Sequence, residues 1–142
     1  MCGVKWATSR HVYFERFPNL RISLIEGGFG WLPSLLWRMD SAWKRLKEEV
    51  PHLKRLPSEY VHDHVWLTTQ PMEEPHKPEQ FVQLLRHGNL ADRLMFATDY
   101  PHWDFDAPNE ALPKTRLPEE FEQRLYYKNA LEFYGPRLLA KS

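Results

Sequence analysis

A chain of 142 residues is the size of one ordinary domain. Its 19 Lys+Arg balance 19 Asp+Glu, which removes the basic excess that nucleic-acid and anionic-membrane binders rely on. Apolar residues at 42% and charged residues at 27% exclude a disordered chain, and the single cysteine, Cys2, excludes an internal disulfide framework.

Lys5, Arg10 and Glu15 interrupt any signal-peptide core, and no run approaches the roughly 18 apolar residues of a membrane span, so the expected location is the cytoplasm. The first predicted element is a helix at Ser9–Phe17, closed by Pro18 and Asn19. Leu20–Ile25 reads as a short buried strand ended by Gly27 and Gly28. After Gly30, Leu32, Leu35, Leu36, Met39, Trp43, Leu46 and Val50 recur at helical spacing and form one apolar stripe. A helical turn from Ser58 leads into Val65–Thr69, a run of strand formers, and then into a proline-rich loop, Gln70–Pro78. Glu79–Arg86 reads as a helix with Gly88 as its C-cap. Leu94–Thr98 is a third short strand, running into Asp99, Tyr100, Pro101, His102, Trp103 and Asp104. A long loop reaches Leu117, and a last helix runs from Pro118 to about Tyr134, stopped by Gly135 and Pro136.

Strand and helix alternating three times predict an α/β fold of parallel strands with crossover helices. Chemistry in such folds sits in the loops after the strands. Those loops begin at Glu26, Gln70 and Asp99. Asp99 would place a carboxylate at the rim, fit to ligate a metal or take a proton from metal-bound water; the alternative is a turn cap. Glu26 would be a ligand, base or substrate acceptor, or else would hold the Gly27 and Gly28 N–H groups or pair with an arginine. His102 and Trp103 would line a substrate pocket, or else form an aromatic plug. Gln70 and Glu73 stand at the corresponding end of the second strand as weaker candidates. His62-Asp63-His64 has metal-pair spacing, but it precedes its strand and so falls at the end opposite the chemistry, where surface histidines are the expectation. Cys2 reads as an ordinary terminal thiol.

Phe14–Ile22, Glu26-Gly27-Gly28, Phe96–His102 and Asn129-Ala130 together resemble the amidohydrolase-related (amidohydrolase 2) family, which includes aminocarboxymuconate-semialdehyde decarboxylase-like enzymes. The resemblance covers nearly the whole chain. It implies a (β/α)8 TIM barrel in which Leu20–Ile25, Val65–Thr69 and Leu94–Thr98 are strands six, seven and eight, so that residues 1–142 are the C-terminal portion of a single domain. Family members bind one divalent metal, often zinc, through an H-x-H after the first strand, a His after the fifth and an Asp after the eighth. Asp99 matches that Asp. Many members carry a catalytic His where this chain has Glu26, and the other ligand positions have no counterparts in the sequence.

The implied activity is that of a metal-dependent hydrolase or carboxy-lyase acting on a small carboxylated or cyclic substrate. Asp99 would be ligand and proton handler, Glu26 a second acid/base, and His102 and Trp103 substrate-binding residues, with no nucleic-acid or membrane partner. The alternative is a non-catalytic truncated protein that self-associates through open sheet edges, since three strands cannot close a barrel of about 250 residues. A third reading is a binding module built on the aromatic loop Tyr100–Phe105. Because the other metal ligands are missing, the isolated chain is expected to be inactive and prone to associate.

Overall fold

The computed structural model describes residues 13–103, 105–114 and 116–135. Cys2, Asp104, Pro136 and the start of the first predicted helix lie outside these residues; 13–16 are helical, as expected. The described chain clusters into two compact units, 13–22 with 31–65 and 23–30 with 66–135.

In the first unit, the predicted long helix is α1, Leu32–Leu46. Pro33 stands in its first turn, where its missing N–H leaves no bond unmade, and Lys44 and Arg45 in the last turn face the negative end of the helix dipole. Leu32 and Leu36 are buried as the stripe predicts, but Leu35 is exposed and Ala42 takes a buried place. The stripe is rotated because Asp40, four residues after Leu36, meets the next helix: its Oδ1 accepts the Ser58 N–H at 2.9 Å. That helix is α2, Pro57–His64. His62-Asp63-His64 therefore lies on the helix that leads into its strand, as the helical turn from Ser58 implies. His64 is buried, contrary to the surface expectation: its ring stacks on Phe14 with centroids 4.4 Å apart, and Nδ1 lies 2.8 Å from the Leu20 carbonyl. A carbonyl only accepts, so Nδ1 carries the hydrogen. Tyr60, also buried, donates its hydroxyl hydrogen to Glu15 and accepts the Lys54 N–H at 3.1 Å. Arg55 lies over the Tyr60 ring and pairs with Asp63 at 2.7 Å. The Arg55 hydrogen bond and charge hold the Asp63 carboxyl below its usual range, against burial, which is the largest single influence and acts upward.

Three short strands, β1 (Ile22–Leu24), β2 (Val65–Thr68) and β3 (Leu94–Met95), are ordered β1-β2-β3 in one sheet, and all but Ile22 and Val65 of their residues fall in the second unit. β2 and β3 are parallel, Leu67 opposite Leu94 and Thr68 opposite Met95, and α3 (Glu79–His87) connects them. β2 and β3 are buried throughout, but β1 is half exposed rather than buried. The third strand is shorter than predicted. Past Met95 the Thr69 side chain replaces a ladder partner: its Oγ1 accepts the Ala97 N–H at 2.9 Å and donates to the Ala97 carbonyl at 3.0 Å. The Phe96 N–H leaves the sheet for the Leu125 carbonyl, 3.0 Å away. Leu125 belongs to the last helix, which runs as α4 (Glu119–Gln123), a π-helical segment Arg124–Lys128 and α5 (Asn129–Tyr134). Pro118 caps it rather than opening it. Fully buried Asn129 latches the helix to β3, with Nδ2 donating to the Ala91 and Leu94 carbonyls at 2.7 Å each. Phe29, Leu67, Phe81, Leu85, Leu90 and Leu94 form the apolar core. No described helix is long and apolar enough to cross a membrane.

Candidate metal centre

Glu26 is the second residue after β1, and Asp99 follows the exit of β3. Both adopt left-handed backbone conformations, φ 55° and φ 63°, which disfavour any residue with a Cβ. A left-handed residue turns the chain sharply at each strand end, so each carboxylate leaves its strand abruptly. Asp99 then builds a turn: its carbonyl accepts the His102 N–H at 2.8 Å, and its Oδ2 lies 3.2 Å from His102 Nδ1. Among the described residues, Glu26, Asp99 and His102 form a group in which one donor atom from each lies within 4.8 Å of the others. Glu26 and His102 are exposed and Asp99 is half-buried, so the group is open to solvent.

The surrounding loops are fixed by polar side chains. Glu26 N–H donates to Thr68 Oγ1 at 3.3 Å, and Thr68 Oγ1 donates to the Gln70 carbonyl at 3.2 Å. Buried Gln70 donates to Asp106 Oδ2 at 2.7 Å and accepts the Met72 N–H, while Asp106 N–H returns to the Thr98 carbonyl at 3.0 Å. Gln70 thus ties the loop after β2 to the segment that carries Asp99. Glu73 accepts the Phe29 and Gly30 N–H groups.

The arrangement brings together Glu26, Asp99 and His102 of the residues singled out from sequence. Trp103 follows His102 directly but is 95% exposed, so it stands at the surface rather than inside a wall; Tyr100 and Phe105 pair edge to face, 5.7 Å between centroids. The roles of Thr68 and Thr69, polar residues at a strand end, and of Asp106, in the long loop after β3, carry no further sequence signal. Two carboxylate oxygens held this close repel one another when ionised, and a cation among them relieves that repulsion. Two carboxylates with one imidazole suit a divalent cation of the manganese-to-zinc range.

The amidohydrolase family profile matches residues 13–135. The gamma-resorcylate decarboxylase of Polaromonas sp. strain JS666 is 28% identical over 124 residues, 85% of this chain and 36% of that enzyme. The chain thus spans little more than a third of the length of the curated relatives it matches. Among solved structures, 5-carboxyvanillate decarboxylase from Sphingomonas paucimobilis superposes with TM-score 0.67 and 28% identity, over 92% of this chain and 38% of that one. A dihydroxybenzoic acid decarboxylase from Polaromonas sp. JS666, solved with manganese and the inhibitor 2-nitroresorcinol, gives TM-score 0.64 and 22% identity, over 94% of this chain and 40% of that one. These neighbours are amidohydrolase TIM barrels, and the described strands match part of one as a small open sheet. The metal in the related decarboxylase is manganese, where zinc was the expectation. On the match over residues 13–135, the chain belongs to the amidohydrolase family.

Proposed function

We propose that this chain supplies strands six, seven and eight of a (β/α)8 enzyme, a divalent-metal-dependent carboxy-lyase or hydrolase acting on a small carboxylated aromatic. The carrying observation is the meeting of the Glu26, Asp99 and His102 donor atoms within 4.8 Å after two strands of one sheet. The named activities of the relatives support carboxyl removal as the reaction. Glu26, Asp99 and His102 are the residues that would hold the cation. Such a cation polarises a substrate oxygen, or lowers the pKa of water toward neutrality.

The side chains of this chain do the rest. Asp99 orients the His102 ring through their hydrogen bond, leaving the imidazole's other nitrogen free. For carboxyl loss, a proton must reach the ring carbon bearing the carboxylate, and Glu26, the more exposed carboxyl of the group, is the residue placed to deliver it. The bond to the carboxylate then breaks, CO2 departs, and the electron pair stays in the ring. Trp103 offers an exposed aromatic face on which a substrate ring can stack.

Manganese titration followed by electron paramagnetic resonance tests the reading. One Mn2+ should bind per chain, and Asp99→Asn should abolish binding; an unmodified chain that leaves all Mn2+ free overturns it. With 2,6-dihydroxybenzoate or 5-carboxyvanillate, the chain alone should release no CO2 above the Asp99→Asn background, because three strands do not close a barrel. A second reading, a non-catalytic association module, draws on the open sheet, whose β1 is half exposed.

A further inference from the structure

Glu26 is followed by Gly27 and Gly28, the latter at φ 63°, so the stretch after the carboxylate has little conformational restraint of its own. Its far end is fixed. Phe29 is fully buried, with its ring edge-on to Phe81 at 6.0 Å. The Phe29 N–H donates to Glu73 Oε2 at 3.1 Å, and the Gly30 N–H donates to the same oxygen. That oxygen sits so close to the backbone that a Cβ on Gly30 would stand 2.6 Å from it. The near end is fixed by the Glu26 N–H bond to Thr68. Both tethers come from residues at or just after the end of β2. Two successive N–H groups converging on one carboxylate oxygen form a charge-assisted clamp, stronger than neutral hydrogen bonds.

We propose that Glu73 is a positioning residue: by clamping Phe29 and Gly30 it holds the glycine-rich loop in the conformation that presents Glu26 to Asp99 and His102. The role in metal binding rests on the function proposed above, whereas the clamp itself does not. Glu73 acts through Glu26 and donates no atom to the group. The carboxylate is needed as an acceptor and not for its charge alone, so a glutamine oxygen at the same place should do most of its work, and an alanine none.

The test uses the full chain, metal-free and then with Mn2+. In the metal-free protein, amide hydrogen exchange at Glu26, Phe29 and Gly30 should quicken at least about tenfold in Glu73→Ala and return close to the original in Glu73→Gln, as expected when the bonds that protect an amide are removed and restored. The HN–Hα coupling of Glu26 should report loss of its positive φ in Glu73→Ala. Protection of Leu67 and Thr69 should persist in both variants, showing that β2 is intact. Gly30→Ala, which drives the carboxylate away, should reproduce Glu73→Ala. With Mn2+, the dissociation constant should rise about tenfold in Glu73→Ala and recover in Glu73→Gln, the scale on which outer partners of a metal ligand act. Unchanged exchange and coupling in Glu73→Ala overturn the clamp. Altered exchange with unchanged Mn2+ affinity overturns the positioning role. A chain that binds no Mn2+, yet loses its Glu26 conformation in Glu73→Ala, supports the clamp and overturns the metal-dependent function instead.

Discussion

Glu26 and Asp99 each combine a carboxylate with a left-handed backbone. That conformation in a non-glycine residue stores about 1–3 kcal/mol and persists only where neighbours impose it. Replacing Glu26 by Gly should therefore leave the protein at least as stable, by up to about 1 kcal/mol in urea unfolding, while weakening Mn2+ binding. A loss of stability would show that the side chain supports the fold rather than the site. Glu15 shows the opposite economy, a carboxylate used for structure. The Tyr60 hydroxyl bond holds its pKa below the usual value, against burial, with Lys54 adding to the lowering. A carboxyl with a depressed folded-state pKa adds stability above the unfolded pKa, and that stability disappears as pH falls through the folded pKa. Acidification should thus shift the urea midpoint less in Tyr60→Phe than in the unaltered protein, and NMR titration should show the Glu15 pKa rising in that variant. Asp99 and Glu26 were legible in the sequence because each follows an apolar strand. Their convergence with His102 was not, because it depends on φ values and on Thr68, which no local pattern encodes.

Helices and strands were legible to the extent that their stability is local. α1 and α3 emerge from apolar spacing and their flanking Pro and Gly residues. β3 does not end where its apolar run ends. The run continues to Thr98, but Phe96 and Ala97 spend their N–H groups on the Leu125 carbonyl and the Thr69 hydroxyl, partners distant in sequence. His64 departs from the surface expectation for a related reason: it is buried against Phe14 and the Leu20 carbonyl, which the sequence around it does not reveal. Asn129 is the element-scale joint, since it satisfies two carbonyls at the approach to and start of β3 from the last helix. Asn129→Ala leaves those buried acceptors without their donor and should cost about 2 kcal/mol or more in urea unfolding. An effect within error would show that water replaces the amide.

At the scale of the molecule, the sheet has three strands in the order β1-β2-β3, and β1 bears Ile22 with Ile25 just beyond it, 36% and 64% exposed. Exposed apolar strands at a sheet edge invite pairing with another chain, and a lysine there discourages it. Light scattering after size exclusion should find the chain above monomer mass at high concentration and Ile22→Lys closer to monomer mass. A monomer at every concentration would remove the association reading. The family and the parallel sheet were legible because motif order and strand–helix alternation survive in a short stretch. The numbering of the strands within a barrel and the substrate were not, because both depend on contacts that a span of 36% of the relatives does not contain.

The π segment Arg124–Lys128 has a consequence for how this chain tolerates change. Asn129 N–H reaches back five residues to the Arg124 carbonyl, while the Leu125 carbonyl receives the Phe96 N–H. An α-helix would close the same stretch with one residue fewer per bond. The helix therefore carries a one-residue surplus at the place where it takes hold of the chain three residues before Asp99. Losing a single residue there would tighten the winding and rotate the Leu125 carbonyl away from Phe96. The aim of the Asp99 carboxylate is in this sense set by arithmetic in a helix that contributes no donor to the group, and insertions or deletions between Arg124 and Lys128 are as consequential for the site as substitutions beside it.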